Sequence, residues 1–230
     1  MEKDNDHQFY QVTPRQGQPH IHHIEYRQGL NRIDVSVHGP VPAIPRESLF
    51  DRANVLVKIH PFPETHIDNT TSHLPSTKRI IAKTQSLLTD CIIVSSLPGT
   101  TFEFTISVIT YDLSIFSSIV NGCVLLLLSA GVPMRYTPCS TTSILNSTPH
   151  TSHNLPSPFI FHPSDQSVIK PFSLFVVTHT STNFDEIVML DMFGDPPRSP
   201  TVISDLSKAS RPEAERFCLF CRSFVSTLQK

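Results

Sequence analysis

Glycine is scarce in this chain, with 7 residues against 20 prolines in a length of 230. Proline fixes the backbone where glycine frees it, so the loops are expected to be long and stiff. Net charge is small as well, −2 with histidine neutral. That excludes a broadly basic surface, and any contact with nucleic acid has to be local. The five cysteines are an odd number without framework spacing, which suits a reducing compartment. Residues 1–10, MEKDNDHQFY, lack the apolar run of a secretory leader.

Several chemistries lose their usual motifs. There is no Walker loop, no Gly-x-Gly-x-x-Gly and no Gly-x-Ser-x-Gly elbow. The most telling absence is acidic. Between Asp112 and Asp165 the chain has no aspartate or glutamate. Metal-assisted or general-acid chemistry on phosphodiesters needs carboxylates beside the reacting phosphate. This segment offers only serine, threonine, histidine and asparagine in their place.

What is present is organised around residues 102–134, FEFTISVITYDLSIFSSIVNGCVLLLLSAGVPM. Phe102, Phe104, Ile106 and Val108 alternate with Glu103, Thr105 and Ser107, the period of a half-buried strand. After Asp112 the period becomes helical, with Ile115, Phe116, Ile119, Val120, Cys123, Val124, Leu127 and Leu128 in step and Leu125 and Leu126 filling the remaining side. A helix apolar nearly all round must be covered on all sides. Gly131 and Pro133 stop it. Leu113 to Met134 is uncharged and long enough to span a bilayer, but Asn121, Gly122 and four serines inside it favour a buried soluble helix.

The remaining elements follow from the same periodicities. Strands are expected at Tyr26–Pro40, Asn54–His60, Tyr136–Leu145, Phe159–Phe161, Ser173–Thr180 and Glu186–Asp191. A helix capped by Ser76 should run to Cys91 with Ile80, Ile81, Thr84, Leu87, Leu88 and Cys91 inward. A last amphipathic helix carries Ala214, Phe217, Cys218, Cys221, Phe224, Val225 and Leu228 on one face. This gives a single α+β domain over 1–230, with residues 1–11 flexible, loops at 61–76 and 146–158, and helices packed on a mostly antiparallel sheet.

Two clusters could bind metal. Cys218-x-x-Cys221 is half a zinc site, but Cys91, Cys123 and Cys139 are scattered singly on core elements, so packing is the preferred reading. His20, His22 and His23 lack a completing carboxylate or cysteine, and a polar strand edge is preferred. No metal and no cofactor is expected.

Taken in order, Tyr26-x-Gln28-Gly29, His38-Gly39-Pro40, Arg46-Glu47, Asp51-Arg52-Ala53, Asp112, Ser114, Asn121 and Gly131-Val132-Pro133-Met134-Arg135 carry a resemblance. The chain resembles the RNase PH-like subunits of the RNA exosome core ring from about Val12 to Leu228. The resemblance implies an RNase PH-like (ribosomal protein S5 domain 2-like) fold, a mixed sheet with packed helices including a buried central helix. It also implies a ring that threads single-stranded RNA, with other RNase PH-like subunits, S1/KH cap subunits and an associated hydrolytic nuclease as partners. The implied location is the nucleus, with the nucleolus, and the cytoplasm, away from membranes.

Departures from the family's active members bear on catalysis. Gln85 stands where they carry an arginine, Gly99 follows Leu97-Pro98 where they have arginine, and the acid-free stretch covers their acidic cluster. His162 replaces an aspartate and Gly122 an alanine. The expectation is a non-catalytic ring subunit supporting 3′-to-5′ RNA processing. Lys78, Arg79 and Lys83 are candidate RNA contacts through phosphate attraction, against the plainer reading of a solvated helix face. The alternatives are an active phosphate-dependent 3′ exoribonuclease, or a membrane-anchored protein using Leu125–Leu128.

Overall fold

A computed structural model describes residues 9–15, 20–46, 48–60, 76–146, 159–163, 172–194 and 201–228. Nine strands and three helices occur among these residues, together with a short 3-10 turn at Val94–Ser96. The strands are β1 (Tyr10–Arg15), β2 (Ile21–Gln28), β3 (Asn31–Pro42), β4 (Asn54–Ile59), β5 (Thr100–Thr110), β6 (Pro138–Asn146), β7 (Phe159–Phe161), β8 (Phe172–Thr180) and β9 (Ile187–Gly194). The helices are α1 (Thr77–Cys91), α2 (Ile115–Ala130) and α3 (Thr201–Leu228).

The strands form two sheets, ordered β1-β2-β3-β5-β4 and β7-β6-β8-β9. All pairings are antiparallel except β4 with β5. That parallel pair needs a crossover, and α1 supplies it. A single sheet had been expected, and the reason for two is α2. Residues 115–127 of this helix are all buried. One sheet covers one side of a helix only, so α2 packs on β2 and β3 on one side and on β6 and β8 on the other. Gly131 ends it in the left-handed conformation, with its N–H turned back to Leu127 and Leu128.

Strand alternation sorts the second sheet. Ser140 and Thr142 of β6 meet α2, whereas Cys139 and, beside it on β8, His179 lie on the opposite face against α3. The layers are therefore sheet, α1 with α2, sheet, α3. A continuous apolar cluster joins Ile24, Val35 and Phe104 of the first sheet to Phe116 and Leu126 of α2 and Leu174 and Val176 of β8. A smaller one holds Phe175 and Val177 against Leu206 of α3.

Several boundaries differ from expectation. Tyr26–Pro40 is split by a turn at Gly29-Leu30 into β2 and β3, because Gly29 takes φ +59° there. Tyr10 belongs to β1 and is buried, so residues 10 and 11 are ordered by pairing with β2. β3 and β4 share a sheet but lie on either side of β5. Ser76 caps α1 as expected, accepting a hydrogen bond from the Arg79 amide. Residues 1–8, Glu47, and most of the two expected loops, at 61–75 and 147–158, lie outside the described residues.

Gly122 marks the closest approach of α2 to the first sheet. A Cβ there would stand 2.8 Å from Ile33 Cδ1, 3.2 Å from Val35 Cγ2 and 3.3 Å from Tyr26 Cδ1. Overpacking costs about 1–3 kcal/mol, against about 1 kcal/mol gained in helix propensity. Gly122→Ala is thus expected to lose about 1 kcal/mol net in denaturant unfolding; a stabilised variant would refute this packing.

His179 gives the fold a pH dependence. It is buried, its Nε2 lies 2.8 Å from Ser210 Oγ on α3, and burial holds its pKa below the ordinary 6.5. A histidine kept neutral in the folded state stabilises above its unfolded pKa, and that stability is lost as pH falls through 6.5 toward the folded value. Thermal melts from about pH 7.5 to 5.5 should show a falling Tm, and His179→Gln should flatten the slope.

Candidate functional site

Five of the residues that carry the family resemblance, Tyr26, Gln28, Asp112, Ser114 and Asn121, meet in one buried network. Gln28, at the end of β2, and Asn121, in the middle of α2, are both fully buried. Asn121 Nδ2 donates to Gln28 Oε1 at 3.1 Å and to the Ser140 carbonyl at 2.9 Å, while its Oδ1 accepts from the Ser140 amide at 2.9 Å. Tyr26 Oη donates to the same Gln28 oxygen at 2.9 Å. On the amide side, Gln28 Nε2 lies 3.1 Å from His162 Nδ1 and 3.5 Å from Ser117 Oγ, which accepts from Thr142 at 2.8 Å. Asn31 then donates to Ser114 Oγ at 2.7 Å and accepts from the Asp112 amide at 2.7 Å.

This network holds architecture rather than a substrate. Its donors and acceptors are turned on each other, and apart from Tyr26 with Gln28 inside β2 the pairings join separate elements: hairpin to helix, helix to β6, hairpin to the His162 segment. Buried polar groups are stable only when paired in this way. Asp112 belongs to the same frame. Its Oδ1 accepts from the Leu113 amide at 2.7 Å at the start of α2, and it is 7% exposed. The last carboxylate before the acid-free stretch is thus turned on the backbone at a helix start.

Other described acids are similarly engaged. Glu25 lies between Arg27 and Arg32, Glu103 pairs with Lys58, and Asp185 and Glu215 flank Arg211. Glu213 reaches Arg216 at 3.2 Å and His162 at 3.7 Å, and the histidine contact holds its pKa below the ordinary carboxylate value. Among the described residues no group of three His, Cys, Asp or Glu side chains could hold a metal ion. No described helix is long and apolar enough to cross a membrane.

The three expected RNA contacts on α1 are not brought together. Arg79 turns inward. Its Nε donates to Asp191 Oδ2 of β9 at 3.1 Å, its Nη2 bonds Oδ1 of the same carboxylate, and the guanidinium stacks 4.6 Å over the Phe193 ring. Lys78 lines a hollow of about 540 Å³ on the outer side of α1 with Ile81, Gln85, Thr89 and Asp90. Lys83 lines a second, of about 240 Å³, beside Val188, Met189 and Leu190 of β9. Gln85 thus presents a neutral amide to the Lys78 hollow.

Strand and turn periodicity missed a different surface. Phe50 is 95% exposed, between Arg46 and Arg52 in the connection from β3 to β4. That connection is held by Ala43 N–H to the Gly99 carbonyl and Gly99 N–H to the Leu49 carbonyl, both at 2.9 Å. Leu30 and Ile44 are also bare. An aromatic residue flanked by arginines was the available signal.

Arg79 carries a direct test. Asp191 is 4% exposed and Arg79 47%, so the pair is half screened. Arg79→Gln should destabilise by about 1–2 kcal/mol, below the 3–5 kcal/mol typical of breaking a fully buried pair. Unchanged stability with weakened RNA binding would return Arg79 to the RNA surface.

No family model matches the chain. By sequence it is similar to the exosome complex component rrp46 of Schizosaccharomyces pombe, 29% identical over 117 residues, 50% of this chain and 49% of that protein. The match therefore spans about half the length of the curated relative. By structure it is similar to rice (Oryza sativa) Rrp46, with TM-score 0.70, 14% identity and 94% of each chain covered. It is also similar to a chain of the Archaeoglobus fulgidus exosome with RNA bound to the active site, with TM-score 0.63, 13% identity, and 90% and 85% covered. An archaeal exosome core chain gives TM-score 0.64 at 14% identity, covering 96% and 86%. The fold is the RNase PH-like fold of exosome core chains, and over half of its length the sequence is similar to an Rrp46.

Proposed function

We propose that this chain is a ring subunit of an RNA exosome and that it serves 3′-to-5′ RNA processing and degradation without catalysing it. The observation that carries the reading is the sequence similarity to an exosome component, rrp46. In this reading the chain is one domain whose neighbours are other RNase PH-like subunits, with S1/KH cap subunits and a hydrolytic nuclease completing the assembly. Single-stranded RNA would pass through the ring, in the nucleus, nucleolus and cytoplasm.

Two features support the division of labour. The bare side chains Leu30, Ile44 and Phe50 are of the kind that partner chains cover. The chemistry of phosphorolysis, in contrast, needs a cationic phosphate cradle and a carboxylate at the scissile bond. Here Gln85 is neutral, Arg79 is committed to Asp191, and Asp112 accepts from the backbone at the start of α2. Lys78 and Lys83 remain the basic side chains of α1 that an RNA phosphate could use.

The experiment is purification of the tagged chain from its own cells at moderate salt, with mass spectrometry of what accompanies it. Co-purification of further RNase PH-like chains, cap proteins and a nuclease is expected. Recovery of the chain alone, or only with itself, would sink the ring reading. The competing reading, an active phosphate-dependent 3′ exoribonuclease, predicts release of nucleoside diphosphates when the pure chain meets RNA and phosphate, and the expected result is none.

A further inference from the structure

His162 is held between three elements and is satisfied on one side only. Its backbone takes φ +50°, the left-handed region that strains a residue with a side chain, and its N–H donates to the Thr142 carbonyl of β6 at 2.9 Å. The side chain is 9% exposed. Nδ1 lies 3.1 Å from Gln28 Nε2 at the end of β2, and the ring packs against Phe9, just before β1, with centroids 4.9 Å apart. Nε2 points at Glu213 of α3 but stops 3.7 Å from its Oε2, and it has no hydrogen-bond partner among the described residues.

The neighbours of the ring fix where its proton sits. The Ser140 backbone has one polarity: its carbonyl accepts and its N–H donates. Asn121 bonds both, so its Nδ2 faces the carbonyl and its Oδ1 the N–H. The same Nδ2 donates to Gln28 Oε1, as does Tyr26 Oη, so the Gln28 oxygen is turned to those two. Gln28 Nε2, a donor, is left facing His162 Nδ1. Nδ1 therefore accepts, and the neutral ring carries its proton on Nε2, on the side of Glu213.

We propose that His162 is a proton-operated switch between the β2–β3 hairpin and α3: neutral, it accepts from Gln28; protonated, it leaves Gln28 and closes on Glu213. The inference is independent of the exosome reading. A second proton can enter only at Nδ1, where it meets the Gln28 amide, donor against donor in a buried place. On the other side stands a carboxylate whose pKa the histidine beside it holds below the ordinary 4.5, so Glu213 stays ionised while the ring titrates. The charged ring thus gives up a neutral hydrogen bond and gains a charge-assisted one by closing a gap of 3.7 Å.

The surroundings decide what the movement does. On α3 the charged groups are Glu213 and, bonded to both of its oxygens at 3.2 Å, Arg216, which competes for the same carboxylate. β6 presents the Thr142 carbonyl, β2 the Gln28 amide, and the β1 side the Phe9 ring with Tyr10 behind it at 4.8 Å. Once His162 leaves, Gln28 Nε2 keeps only Ser117 Oγ, at 3.5 Å, among the described residues. Phe9 loses the ring it packs on, and its carbonyl is the acceptor that ties down the hairpin turn through Gly29 N–H at 3.0 Å. Acid therefore loosens the turn that carries the bare Leu30 and ties the end of β7 to α3.

The test follows single residues by NMR in the full nitrogen-15-labelled chain, titrated from about pH 8 to 5, the range in which histidine changes charge. At the start His162 should show its proton on Nε2 and none on Nδ1. On acidification Nδ1 should gain a proton, the Gln28 side-chain amide should shift with the same midpoint, and the protection factor of the Gly29 amide should fall about tenfold. Signals at residues 28, 29 and 162 keep this apart from the pH dependence of His179. Glu213→Gln should move the midpoint to lower pH, and Arg216→Gln, which frees the carboxylate, to higher pH. A proton on Nδ1 at pH 8, one charge state throughout the titration, a Gly29 amide indifferent to it, or a midpoint that Glu213→Gln leaves alone or raises would each overturn the switch.

Discussion

The whole structure depends on a helix that has no solvent side yet carries polar residues at its centre. Residues 115–127 of α2 are buried, and Ser117, Ser118 and Asn121 are among them. Burying an amide without partners costs several times what one net hydrogen bond contributes, so the surrounding elements are constrained in register as well as in shape. Asn121 fixes where the hairpin ends and where β6 begins, because only Gln28 and the Ser140 backbone stand at the right height. Apolar packing alone would allow β2 or β6 to slide by two residues; this amide does not.

That constraint explains which parts of the fold were legible. The central helix, its stop at Gly131, the Ser76 cap and most strands were readable because period and punctuation are local properties. The all-round apolar surface of α2 also implied two covers, but one sheet was inferred, since nothing local distinguishes strands of one sheet from strands of two. The β2–β3 turn was lost because the alternation of Ile33, Val35 and Val37 dominated the reading, and Gly29 was outweighed. β1 was lost because its pairing with β2, which places Tyr10 opposite Gln28, is a tertiary fact.

The site was less legible than the fold, for a related reason. Motif residues such as Gln28, Asp112, Ser114 and Asn121 were singled out by likeness, and the structure shows them meeting. Charge alone did not show that Arg79 pairs with Asp191, which lies 112 positions away. A lysine or arginine on a helix reads as a solvated cation until its counter-ion is located, and no spacing rule supplies that. The acid-free stretch was different in kind: composition shows directly what a segment lacks.

The tight seat of Gly122 against Ile33, Val35 and Tyr26 has an evolutionary reading. A helix surface this near a sheet leaves little slack for a methyl group, so a change on one face is felt on the other. With a smaller side chain at 33, the methyl of an alanine at 122 would lose its nearest obstacle. With Ile33 in place, the same methyl costs about 1 kcal/mol net. Positions 122 and 33 are therefore coupled, and the cost of changing one depends on whether the other has changed first.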